Sequence, residues 1–302
     1  MSKLKQAVES GQFVVTGEIG PPKGVALDKC LHDAETLRDY VTAINVTDLQ
    51  SAIMRIGSLA VSAKLVERGL EPIYQLTCRD RNRLALQSDL LSAWALGIEN
   101  VLCLTGDHPA LGDHTEAKPV YDLDSVQLLK AASTLNQGYD MADHELESVP
   151  DFLLGAVVTP GAEPLEPQII KMKKKIEAGA RFFQTQAIYE PEKFEHFMNQ
   201  VQGFNIPVIA GIVILKSAGM AKFMNENVAG ISVPEAIIQE MEETKKEDRR
   251  KKAVEISART IRQVKPLCQG VHIMPLGWDE LIPKVISEAE LGREVRALSG
   301  EG

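Results

Sequence analysis

Val101-Leu-Cys-Leu-Thr-Gly-Asp107 is an apolar run that stops abruptly in a small polar residue, a glycine and a carboxylate. Phe13-Val-Val-Thr-Gly-Glu18 and Arg181-Phe-Phe-Gln-Thr-Gln186 repeat the design. Short apolar runs of this kind read as parallel strands buried on both faces, and their carboxyl ends are where α/β proteins place polar chemistry. Outward from these three, β-leaning runs recur at 13–17, 43–47, 72–77, 100–105, 152–159, 181–185, 207–215 and 270–275. Amphipathic helical patterns lie between them, at 27–39, 56–68, 83–96, 124–137, 164–178, 190–204, 218–225 with 234–265, and 278–291. Gly69, Gly97, Gly179 and Gly203 stand where left-handed helix C-caps belong. Eight strands alternating with helices predict a (β/α)8 TIM barrel, a single domain over residues 1–302. The rival, a doubly wound open sheet, usually carries Gly-x-Gly-x-x-Gly after its first strand, and this chain has none.

Composition narrows the function classes. Of 302 residues, 44% are hydrophobic and 25% charged, the balance of an ordinary packed globular chain. The net charge of −9 argues against nucleic acid or an anionic membrane surface as the main partner. The longest apolar runs, such as Ile206–Leu215, are too short to cross a bilayer, and the N-terminus lacks a signal-peptide pattern. Cys30, Cys78, Cys103 and Cys268 are scattered without a Cys-x-x-Cys pair, which argues against a disulfide framework and for a reducing, cytoplasmic setting. His108, His114 and His144 show no metal-ligand spacing, so no metal centre is expected. Two stretches are irregular: 106–120 reads as a long functional loop, and 240–252, dense in both charge signs, as a solvated helical face.

Several side chains at strand ends can carry chemistry. Glu18, before Ile-Gly-Pro-Pro, is either an acid held at a barrel mouth or a carboxylate capping the next loop. Asp107, after Thr105-Gly106, either meets a ligand that glycine lets approach closely or closes an Asx turn. Gln186 can donate and accept at once, which suits an amide-bearing heterocycle, or it bonds a neighbouring strand end. Lys171, Lys174 and Lys175 share three- and four-residue spacings that can hold a phosphate, or else form a solvated face. Arg79 and Arg81, after Thr77-Cys78, are candidates to meet an anion; Cys78 itself reads as a packing residue.

These endings together resemble one known family, the methylenetetrahydrofolate reductases, flavin-dependent (β/α)8 barrels. The resemblance runs along nearly the whole chain, through Gly17-Glu18-Ile-Gly-Pro-Pro22, Gln75-Leu-Thr-Cys78, Leu104-Thr-Gly-Asp107, Lys175-Ile-Glu-Ala-Gly-Ala180, Phe182-Phe-Gln-Thr-Gln186 and Gly270-Val-His-Ile-Met274. It implies reduction of 5,10-methylenetetrahydrofolate to 5-methyltetrahydrofolate. Glu18 would be the general acid that opens the folate ring, Asp107 the anion beside flavin and folate, and Gln186 the amide that holds the pterin. The flavin, FAD or FMN, would be bound by Thr47, Gln75, Thr77, Thr105, Gly106, Asp107, Val158, Lys171, Lys174 and Lys175. This chain departs from well-studied bacterial members at Gln75, Thr105 and Lys171, and over Val158-Thr159-Pro160-Gly161. Electrons would come from NAD(P)H or through a partner subunit, and an oligomer is expected. Two other readings stand beside this one: a barrel aldolase or lyase using Lys216 as a Schiff-base amine, and a non-catalytic folate-binding subunit.

Overall fold

Each expected strand run overlaps a strand, with β1 and β6 running two residues further than expected, and the strands close on themselves. The computed structural model describes residues 1–292. Its strands are β1 (Val14–Ile19), β2 (Ala43–Val46), β3 (Pro72–Thr77), β4 (Asn100–Leu104), β5 (Leu153–Val158), β6 (Phe182–Ala187), β7 (Val208–Val213) and β8 (Gly270–Met274). All pair in parallel in chain order, and β8 returns to β1 with Thr16 opposite His272. Outside lie α2 (Asp28–Glu35), α3 (Ser58–Glu67), α4 (Arg83–Ala95), α5 (Ser125–Leu135), α6 (Glu166–Glu177), α7 (Pro191–Val201), α8 (Ala218–Asn227), α9 (Glu235–Glu243), α10 (Arg249–Val264) and α11 (Ile282–Glu288). This is the (β/α)8 barrel expected from the strand pattern. Residues 293–302 of the expected single domain lie outside the described residues. Among the described residues no helix is long and apolar enough to cross a membrane.

An additional helix, α1 (Lys3–Ser10), precedes β1 and has no counterpart in the sequence reading. It is short, with only two buried teeth, Leu4 and Ala7. Those teeth join Val14, Ala43, Ile73, Leu102, Leu153, Phe182 and Ile209, the apolar layer that fills the lower barrel. Glu71 fastens the start of the helix by accepting from Lys3 N (2.7 Å) and Leu4 N (2.8 Å), two donors that a helix N-terminus leaves unmatched. The lower end of the barrel interior is thereby plugged, leaving a pocket of about 350 Å3 outside it, between Met1–Lys3 and the amino ends of β2, β3 and β4, among the described residues.

Two expectations are corrected. The helix expected over 234–265 breaks at Thr244, which is extended (φ −78°, ψ 123°), and resumes at Arg249. In one straight helix Glu240 and Arg259 would stand about 28 Å apart along the axis. Instead Arg259 donates to Glu240 at 2.7 Å, and Lys222 on α8 reaches Glu242 at 2.6 Å. The charge-rich stretch therefore pairs between helices and is not one solvated helical face. The second correction concerns the caps. Gly69, Gly97 and Gly179 take positive φ as expected, but after α7 it is Asn205 that does so (φ 50°), not Gly203.

Candidate functional site

Above the apolar layer the barrel turns polar. Thr16, Asn45, Gln75, Gln184 and His272, all buried, come from β1, β2, β3, β6 and β8. Gln75 Nε2 donates to Asn45 Oδ1 (3.3 Å) and Gln184 Nε2 to Thr16 Oγ1 (3.4 Å). Thr16 Oγ1 and Asn45 Nδ2 both meet His272 Nδ1, at 2.9 and 3.3 Å. With Thr16 accepting from Gln184, its hydroxyl proton is free to go to Nδ1, so the proton-bearing nitrogen of His272 is Nε2. That nitrogen stands 3.5 Å from Glu18 Oε2. Buried polar groups in a low-dielectric interior persist when mutually satisfied, and this ring of side chains meets that condition around the base of Glu18.

The polar layer floors a cavity of about 450 Å3 at the carboxyl ends of the strands. This is the size of an ordinary small-molecule site, at the end where barrel enzymes keep their chemistry. Glu18, Gln75, Thr77, Thr105, Gly106, Asp107, Val158, Lys171, Lys175 and Gln186 all line it. Two expected cofactor residues do not. Thr47 is buried beside the end of β1, and its hydroxyl meets no partner. Lys174 is exposed, because it lies about 100° around the helix from Lys175, on the solvent side. The face that α6 turns to the cavity is Gln168, Lys171 and Lys175. Lys216, the candidate Schiff-base amine, is outside the cavity as well: its ammonium bonds the Leu276 carbonyl and sits 5.5 Å from the Trp278 ring.

Local chain chemistry explains how the key side chains are aimed. Gly106 has φ 89°, a conformation that favours glycine, and a Cβ there would stand 3.1 Å from both Thr77 and Arg79. Asp107 follows directly, and its carbonyl accepts from Arg79 Nη1 at 3.2 Å. Gln186 comes from a register shift in β6 between Gln184 and Ala187, a bulge that re-aims a side chain at a barrel rim. Thr185 Oγ1 fills the gap in the ladder, accepting from Gly211 N (2.8 Å) and donating to Gln186 O (2.7 Å).

The charges divide. Asp48 is fully buried but paired: it accepts from Arg81 (2.7 Å), from Thr77 N (3.0 Å) and Oγ1 (2.8 Å), and from Ser58 (3.2 Å). Arg79, 2% exposed, is matched by Asp80. Among the described residues no carboxylate pairs with Lys175. It is 5% exposed, and the acceptor it meets is the Val157 carbonyl at 2.6 Å. Burial, and secondarily the neighbouring Lys171, pull its pKa down to about 8. An ammonium has three donors, so this lysine keeps two for an anion in the cavity. The hydroxyl-bearing Ser125, at the start of α5, and Gln168 line the same wall. Glu18 and His272 line it too, with Asp107 and Gln186.

Asp48, Gln50, Gln168, Gln184 and His272 are cavity residues that strand-end reading does not single out. The available signal was a polar residue inside an apolar strand, as at Gln184 and His272. For Gln50, on a loop, the sequence carries no such sign.

The sequence profile of the family "Methylenetetrahydrofolate reductase" matches residues 3–290. Among curated proteins, the chain is 27% identical to methylenetetrahydrofolate reductase 2 of Schizosaccharomyces pombe, over 76% of this chain and 37% of that protein. It is 25% identical to methylenetetrahydrofolate reductase (NADH) 1 of Arabidopsis thaliana, over 93% of this chain and 49% of that one. With 5,10-methylenetetrahydrofolate reductase of Salmonella typhimurium it shares 26% identity, over 70% of this chain and 68% of the relative. The chain thus spans about half or less of the two eukaryotic relatives. Among solved structures, an uncharacterized Clostridium thermocellum protein that binds two copies of 5-methyl-5,6,7,8-tetrahydrofolic acid aligns with a TM-score of 0.63 at 16% identity. That alignment covers 98% of this chain and 100% of the other, and it speaks for the fold alone. With a profile match along almost its full length, this chain belongs to the methylenetetrahydrofolate reductase family.

Proposed function

We propose that this barrel binds a flavin and reduces 5,10-methylenetetrahydrofolate to 5-methyltetrahydrofolate. The observation that carries the reading is that Glu18, Asp107 and Gln186, from three separate strand ends, line one cavity in a barrel of this family.

The cavity chemistry fits a flavin. Lys175 has two spare donors and Lys171 stands beside it, a pair suited to a cofactor phosphate. Thr77, Thr105, Gly106 and Val158 offer an uncharged stretch of wall for a planar ring. When bound, the flavin supplies the hydride. The chain supplies the rest. Glu18 delivers a proton to the bridged folate, so that the five-membered ring opens to an iminium cation. The side chain of Asp107 stabilises that cation, and the Gln186 amide orients the pterin by donating and accepting together. His272 Nε2 and the residues behind it hold the Glu18 carboxyl in place.

In this reading electrons reach the flavin from NADH or NADPH, or through a partner protein, and the flavin is FAD or FMN. Flavin binding followed by anaerobic mixing with NADH is the test. Retained flavin whose absorbance bleaches on mixing supports a self-sufficient reductase. Retained flavin that bleaches only with an artificial viologen donor moves the electron source to a partner. Failure to bind either flavin overturns the proposal.

Lys175 gives the site a pH signature. Its folded pKa of about 8 lies below the unfolded value of 10.5, so the unfolded chain holds more protons between those limits. This group's contribution to folding stability therefore rises from about pH 8 to 10.5. Phosphate binding runs the other way, since it needs the ammonium. FMN affinity is expected to fall as pH rises through 8, with proton uptake on binding in that window. Fluorescence titration of FMN at stepped pH, with Lys175→Met as the flat, weak-binding control, checks both.

A further inference from the structure

Glu18 is shared by two spaces. A second chamber of about 360 Å3 lies on its other side, lined by Cys30, Arg55, Pro275 and Leu276 among others. Among the described residues, only Glu18 and Gln50 line both this chamber and the main cavity. Gln50 Nε2 stands 3.5 Å from Glu18 Oε1, while His272 Nε2 stands 3.5 Å from Oε2. Each carboxyl oxygen therefore faces one nitrogen.

The backbone that carries Gln50 is held in a costly shape. Leu49, Ser51 and Ala52 have φ of 48°, 56° and 57°, left-handed conformations that residues with a Cβ seldom adopt. Such strain persists only where surroundings hold it, and it collects at functional sites. Here the holding groups are identifiable. Arg79 Nη2 donates to the Leu49 carbonyl (3.3 Å) while Nη1 of the same guanidinium holds Asp107 O. From the β4–α5 loop, Asp113 accepts from Met54 N at 3.0 Å and pairs with Lys23. Gly112, one residue earlier, lies so close to the turn that a Cβ would overlap the Ala52 carbonyl. Three loops of the barrel mouth are thus clasped around one short turn, and what that turn presents inward is the Gln50 amide.

We propose that Gln50 is a positioning residue for proton transfer: the clasped turn holds its amide on Glu18 Oε1 and so fixes the plane of the carboxyl. This rests on the reading of Glu18 as the acid that opens the folate ring. Reacting groups must be held to within about half an ångström, and small misplacements cost up to about 100-fold in rate. A single amide on a rigid turn is sufficient to matter at that scale.

The test separates half-reactions in the flavin-loaded protein. Gln50→Leu keeps the bulk and removes the donor. It is expected to slow reoxidation of the reduced flavin by methylenetetrahydrofolate roughly 10- to 100-fold. Flavin affinity, the rate of flavin reduction by dithionite and the thermal midpoint stay unchanged. Gly112→Ala, which displaces the turn from outside and leaves Gln50 intact, reproduces the same selective loss. Reoxidation at the wild-type rate in Gln50→Leu overturns the proposal, as does an equal fall in both half-reactions. If Glu18→Gln also reoxidises at the wild-type rate, the assignment of Glu18 as the acid is what has failed.

Discussion

Replacing Glu18 by glutamine is expected to lower the rate of methylenetetrahydrofolate reduction by about two to four orders of magnitude, the range that a positioned general acid supplies. Glu18 is 6% exposed, and its carboxyl is approached by groups on two sides. His272 approaches one oxygen, backed by Thr16 and Asn45, and Gln50 approaches the other. Glutamine keeps that shape and can still accept one of those contacts through its carbonyl oxygen, but has no acidic proton to give. Flavin binding and flavin reduction are expected to be preserved, because the lysines assigned to the phosphate lie on a different element, α6. Stopped-flow comparison of the two half-reactions reads this directly.

Asp107→Asn is expected to produce the second largest loss, on the order of 100-fold in the folate half-reaction, as for removal of one preorganised electrostatic group. The side chain is exposed into the cavity, and its backbone is fixed by Arg79 from one side and by the left-handed Gly106 from the other. An asparagine holds the same position with no net charge to set against a developing cation. The variant should therefore lower kcat more than it raises KM. A rise in KM alone, with kcat intact, would mean that Asp107 binds the pterin without stabilising the cation. Steady-state kinetics over a range of folate concentrations distinguishes the two.

The barrel was legible because buried parallel strands write themselves as short apolar runs, and eight of them between amphipathic helices leave few other arrangements. The strand ends also pointed to Glu18, Asp107 and Gln186, since a polar residue that stops an apolar run sits at the barrel mouth. What stayed hidden has physical reasons. Helix α1 is eight residues long, so Leu4, Ala7 and Val8 make one i, i+3, i+4 repeat and no more, too little for a periodic signal, and it owes its place to the plug it makes. The break between α9 and α10 depends on pairing between helices, which spacing along one helix does not reveal. Lys174 shows that three- and four-residue spacing marks a broad sector of a helix, not the narrower strip that meets a cavity. Thr47 directly follows β2, and its backbone N–H bonds the Ile19 carbonyl at the end of β1 while its side chain stays out of the cavity. Leu49-Gln-Ser-Ala52 contains none of the glycine or asparagine that usually announces a left-handed turn, so Gln50 emerges only once the neighbouring loops are in place.

In the proposed reaction the mouth of this barrel joins a flavin to a folate through Glu18. One single-turnover experiment tests it most directly: the flavin-loaded protein is reduced anaerobically and mixed with 5,10-methylenetetrahydrofolate while flavin absorbance and folate products are followed. Absorbance is expected to return with formation of one equivalent of 5-methyltetrahydrofolate per flavin, and Glu18→Gln is expected to suppress both. Flavin that stays reduced in the wild-type protein, or that reoxidises equally fast in the Glu18→Gln variant, would contradict it.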